Sequence, residues 1–80
     1  MEPSSRLRWQ CRRGMLELDL VLNRFVESGW AQLTARQRDA FEALLGYPDA
    51  VLLECVMDKL TPVDPVIADV VSKIRECAAR

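Results

Sequence analysis

Helix-ending residues interrupt this chain at short intervals, and between them the apolar residues recur at three-to-four spacing. Gly14, Ser28-Gly29, Gly46, Pro48, Thr61-Pro62 and Asp64-Pro65 divide it into segments that suit short helices and leave no room for a long one. Ser4 or Ser5 can cap a first helix running to Arg13. Arg12 and Arg13 then complement the dipole at its C-terminus, and Gly14 supplies the turn. A second helix starts at Met15 or Leu16 and reaches Glu27, with Glu17 and Asp19 in its first turn. Thr34-Ala35-Arg36-Gln37 has the spacing of a capping box and opens a third helix over 35–45. Asp49 as N-cap, or Pro48 at the first helical position, restarts the chain. The fourth helix, 50–60, repeats Leu52, Leu53, Val56, Met57 and Leu60. Asp64 before Pro65 starts a fifth, whose Val66, Ile67, Val70, Val71, Ile74 and Cys77 form one stripe. The fold class expected is all-α, a compact bundle of five short helices in one domain over residues 1–80.

Composition narrows the function. Half the residues are hydrophobic, enough for one modest core. No apolar run approaches the roughly 20 residues a membrane span needs, and the first residues lack the pattern of a secretion signal. A soluble, cytoplasmic protein is expected, without membrane insertion. Cys11, Cys55 and Cys77 are odd in number and widely spaced, a reduced pattern in which each thiol is a small hydrophobe. The chain has no histidine, so zinc sites and the Ser-His and Cys-His nucleophile pairs are disfavoured. No glycine-rich phosphate loop is present either. We expect no enzyme, no metal and no cofactor held by this chain. The net charge of −1 does not mark a nucleic-acid binder.

The densest cluster of chemistry is Arg12-Arg13-Gly14-Met15-Leu16-Glu17-Leu18-Asp19. On a helical wheel Leu18, Val21, Leu22 and Phe25 form one face of the second helix, whereas Leu16 and Leu20 lie opposite. Glu17 and Asp19 diverge by about 160°, too far apart to share a proton or a metal. A catalytic carboxylate pair therefore fails on direction. Taken singly, Arg13 and Glu17 read as an i,i+4 pair, Gly14 as a turn, and Met15 and Trp9 as core filling. Together they also fit a docking surface. Glycine admits close approach, methionine adapts to another surface, and arginine fixes a carboxylate with a fork of donors.

The extended pattern Arg6-x-x-Trp9-x-Cys11-Arg12-Arg13-Gly14-Met15-x-Glu17-Leu18-Asp19 resembles the small flavinylation factors of succinate dehydrogenase. These are assembly proteins marked by an Arg-Gly-x-x-Glu motif. The likeness continues more loosely through Phe25, Phe41-x-x-Leu44-Leu45, Asp49, Met57 and Pro62. It implies a five-helix fold and a non-enzymatic assembly factor, or chaperone. The partner implied is the flavoprotein subunit of succinate dehydrogenase, or of fumarate reductase, on which covalent attachment of FAD is promoted. Arg13, Gly14 and Glu17 match the motif, with Arg6, Trp9, Met15 and Asp19 around it as partner-binding residues. One departure is Cys55, where the resemblance implies a tryptophan in many relatives. The alternatives are a small regulatory helical module, antitoxin-like or DNA-associated, and a carrier that itself binds FAD.

Overall fold

Asp64 and Pro65 start the helix around which the rest is assembled. In the computed structural model, which describes residues 5–79, the Asp64 carboxylate accepts from the amides of Val66 at 2.8 Å and Ile67 at 3.3 Å. Pro65 is the first helical residue, where its missing N–H goes unneeded. From there α5 (Pro65–Ala78) buries Ile67, Val70, Val71 and Ile74 on one side. It packs chiefly against α2 (Leu16–Gly29) and α3 (Ala35–Leu45), and also against α4 (Asp49–Val56). Each fully buried aliphatic side chain of this kind contributes roughly 1.5–3 kcal/mol.

The capping box at α3 forms as the sequence implies: Thr34 Oγ1 accepts from the Gln37 amide while Gln37 Oε1 accepts from the Thr34 amide. This helix contributes Ala40, Phe41, Leu44 and Leu45 to the core. The Phe41 ring lies 5.4 Å from that of Phe25 on α2 and 6.0 Å from Trp30, edge-on to the indole. Trp30 opens a single 3₁₀ turn, Trp30–Gln32, that carries α2 beyond the expected end at Glu27. Gly29, the last residue of α2, has no room for a side chain, since a Cβ there would sit 2.9 Å from Phe25 Cε1. The shortest helix, α1 (Ser5–Gln10), is anchored by buried Leu7, with buried Cys11 just beyond its end.

Two further helix ends differ from the sequence reading. The first helix stops at Gln10, short of Arg13, and continues only as a turn in which the Cys11 amide donates to Arg8 O and the Arg12 amide to Trp9 O. Its proposed cap at Ser4 lies outside the described residues, and Ser5 is already helical. The fourth helix ends at Val56 rather than 60. Arg75 of α5 explains that end. Its Nε and Nη2 donate to Cys55 O at 2.9 and 2.7 Å, and its Nη1 pairs with Asp58 at 3.0 Å. The Cys55 carbonyl near the end of α4 is thus bound from outside the helix, and Asp58 turns the chain in a left-handed conformation, φ 61°. Met57 and Leu60 are left exposed in consequence. Cys55 is fully enclosed, so the departure at this position concerns packing and not the surface.

Among the described residues there is no strand, and no helix is long and apolar enough to cross a membrane. Replacing Asp64 by Ala removes the cap of the central helix and is expected to lower stability by about 1 kcal/mol. A thermal melt followed by circular dichroism checks this; an unchanged midpoint would show that Pro65 and the buried stripe start the helix unaided.

Candidate functional site

The segment between α1 and α2 is held from both sides by carboxylates. Asp19, one turn into α2, reaches back so that its Oδ1 accepts from the Arg13 amide at 2.6 Å and its Oδ2 from the Gly14 amide at 3.3 Å. Met15 takes the N-cap position in extended geometry and makes no side-chain cap. Asp19 therefore secures the loop rather than the helix start. Gly14 has φ +79°, the left-handed region where any other residue is strained.

From the other side, the Arg13 side chain crosses to the corner between α3 and α4. Its Nε donates to Asp49 Oδ1 at 2.8 Å, its Nη2 to Tyr47 O at 3.0 Å and its Nη1 to Gln10 O at 3.0 Å. Only 16% of that side chain is exposed. The sequence reading paired Arg13 with Glu17 or made Asp49 a helix cap. Asp49 is instead the first residue of α4, follows Pro48 at the cap, and takes Arg13 as its partner. No local pattern announces this pair, because 36 residues separate its members.

The seven residues singled out from the sequence thus sort into two layers. Arg13, Asp19 and Met15 are half-buried; the first two carry the hydrogen bonds, and Met15 packs against the core. Arg6, Trp9, Gly14 and Glu17 face solvent. Trp9 is 69% exposed, which excludes it from the core, and Arg12 lies over its ring at 5.8 Å. Leu16 and Leu20, the apolar residues on the far side of the wheel, are 76% and 61% exposed. They continue the outer face past Glu17 as a surface of large apolar side chains. Sequence reasoning separated them from the core face but did not include them among the site residues. The arginines near the N-terminus form no common basic face: Arg6, Arg8 and Arg12 point outward, whereas Arg13 points in.

Under this junction Cys11 is fully buried, and removal from water pushes its thiol up to about 11. Nearby Arg13 and Arg8 oppose that rise and Asp19 adds to it. The thiol stays protonated at neutral pH and offers no nucleophile. No cluster of metal-ligating side chains forms among the described residues.

A model of the family described as flavinator of succinate dehydrogenase matches residues 5–78. The chain belongs to that family. Among its relatives is the FAD assembly factor SdhE of Coxiella burnetii, 37% identical over 95% of this chain and 93% of that protein. The same-named protein of Methylococcus capsulatus is 41% identical over 94% of this chain and 90% of its own length. That of Legionella pneumophila (strain Lens) is 45% identical over 91% of each. The flavinator match takes in all five helices and the whole junction between the first two.

Burial of Cys11 makes the fold sensitive to alkali. The unfolded thiol ionises near its ordinary value of 9 and the buried one near 11, so its contribution is intact below the lower value and lost progressively toward the higher. Cys55, also pushed up by burial, acts in the same direction. Denaturant midpoints are expected to fall between pH 9 and 11, and Cys11→Ala is expected to flatten that decline. A wild-type midpoint constant across this window would show that the thiol is not shielded.

Proposed function

We propose that this chain is a non-enzymatic assembly factor that docks on the flavoprotein subunit of succinate dehydrogenase and promotes covalent attachment of FAD to that subunit. Fumarate reductase, whose flavoprotein subunit belongs to the same class, is a second candidate partner. The observation that carries the reading is the outward layer at the α1–α2 junction, in a chain that belongs to the flavinator family. Arg6, Trp9, Gly14 and Glu17 present a cation, an aromatic plate, bare backbone and a carboxylate side by side in sequence. Met15 sits half-buried among them. Arg13 and Asp19 take part by fixing the backbone on which these groups stand.

Flavin attachment in this enzyme class uses a histidine, and this chain contains none, so the acceptor belongs to the partner. The residues here also fit poorly as a flavin cradle. The chain has no glycine-rich phosphate loop, and the furrow beside α2, about 400 Å³ and lined by Leu20, Asn23 and Glu27, lies open to solvent. FAD is therefore placed on the partner. Docking would favour the arrangement of that subunit in which its own reacting groups are aligned, a contribution of orientation and not of chemistry. The reading implies a cytoplasmic protein that acts before the enzyme is fully assembled.

Glu17→Ala removes an exposed carboxylate and is expected to leave helix content and melting unchanged, since such surface substitutions usually alter stability by less than about 0.5 kcal/mol. In cells that carry only this variant, covalent flavin fluorescence on the denatured flavoprotein subunit is expected to drop severalfold. Gly14→Arg is expected to reduce it further. It places a bulky cation on the docking face, where a Cβ meets nothing within 4 Å, and it strains the left-handed backbone. Undiminished covalent flavin in both strains would refute the docking role.

A further inference from the structure

We infer that Asp49, in the corner between α3 and α4, is a positioning residue for flavinylation, acting through Arg13 on the docking face. The inference rests on the docking reading above. It begins with the directions of the two charged motif residues. Arg13 points inward and Glu17 outward, although four positions separate them. The motif is therefore a surface group attached to an internal strut, and the strut needs something to bear on.

Its bearing point is the start of α4. Three acceptors from separate stretches of chain meet one guanidinium: Gln10 O at the end of α1, Tyr47 O before α4, and the Asp49 carboxylate. Asp49 alone among the three is a side chain and carries the charge. Arginine suits this geometry because its donors lie in one rigid plane, so fixing Nε on Asp49 also sets where Nη1 and Nη2 point. Beyond the guanidinium the chain runs through the Arg13 amide and the Gly14 amide, both held by Asp19. Asp49 thus reaches the left-handed glycine through one side chain, and the glycine leads directly to Met15, Leu16 and Glu17.

The placement also separates positioning from general support. Asp49 is 45% exposed, so water screens its side of the pair, and when the carboxylate is lost the Arg13 guanidinium keeps its bonds to Gln10 O and Tyr47 O. The hydrophobic core is built from other residues, and Asp49 contributes no side chain to it. Loss of the carboxylate releases the loop without opening the bundle. Neither the exposed surface of Asp49 nor its position in α4 is needed for contact with the partner.

The test uses the full chain and the purified flavoprotein subunit of succinate dehydrogenase lacking covalent flavin, with affinity read by titration calorimetry. Asp49→Ala is expected to weaken binding about tenfold, and Asp49→Asn, which keeps the shape but loses the charge, to weaken it nearly as much. The effect is expected to vanish in an Arg13→Ala background, because Asp49 acts only through that side chain. Hydrogen exchange supplies a second readout: the Arg13 and Gly14 amides are expected to exchange faster in Asp49→Asn while those of α5 keep their protection. Faster exchange throughout α5 would mean a structural role only and overturn the inference. So would losses that multiply in the double variant, which would place Asp49 in contact with the partner. Wild-type binding by Asp49→Ala beside weakened binding by Glu17→Ala would overturn this inference and leave the docking reading standing. Wild-type binding by both would remove the docking reading itself.

Discussion

The guanidinium of Arg13 joins three parts of the chain at the edge of the hydrophobic core. It binds the last carbonyl of α1, a carbonyl before α4 and the first side chain of α4. A cation with so little exposure needs acceptors around it, because the same charge stripped of all three would cost more than any one of them contributes. This dependence runs in both directions. The loop cannot drift without leaving the charge unpaired, and the α3–α4 corner cannot shift without losing the side chain that braces it. Asp19 closes the arrangement from the α2 side with two amide hydrogen bonds. The backbone between α1 and α2 is consequently held from both sides, while Arg12 and Gly14 face water.

That definition gives meaning to the exposed residues. In an 80-residue protein with half its residues hydrophobic, some apolar surface is unavoidable. Its concentration is the informative part. Trp9 and Leu16 flank the fixed loop, and Leu20 lies one turn further along α2. Burying them within this chain would require α2 to be covered on both faces. α5 already occupies one face, and α1 is too short to occupy the other. A rigid backbone with exposed aromatic and aliphatic side chains lowers the ordering cost of association, which is the usual requirement for a small docking module.

The sequence was most legible where the signal and its consequence lie within one helical turn. The Thr34–Gln37 capping box, the Asp64-Pro65 start and the apolar stripe of α5 all appear where their spacing implies. The end of α4 was not legible, because Arg75, 20 positions from Cys55, binds that residue's carbonyl and lets the helix stop early. The apolar repeat through Met57 and Leu60 continues beyond the helix that it seemed to describe. For the site, the wheel correctly set Leu16 and Leu20 apart from the core face and put Glu17 and Asp19 on diverging sides. It could not reveal that Asp19 turns back onto the loop, nor that Arg13 passes over Glu17 for a carboxylate 36 positions away. Both outcomes depend on tertiary placement, to which local periodicity is blind.

Family resemblance and physical reading answer different questions about the same residues. The flavinator match takes in the whole junction and treats its residues as one stretch. The structure divides the stretch by direction. An arginine already engaged with three acceptors has little freedom to rearrange around a visiting protein, whereas an exposed carboxylate next to bare glycine backbone keeps all of its own. The two then divide the work of one short motif, one facing inward and one outward. On the proposed docking reading, Glu17 is presented from a turn whose position is set by Arg13, itself held at Gln10, Tyr47 and Asp49.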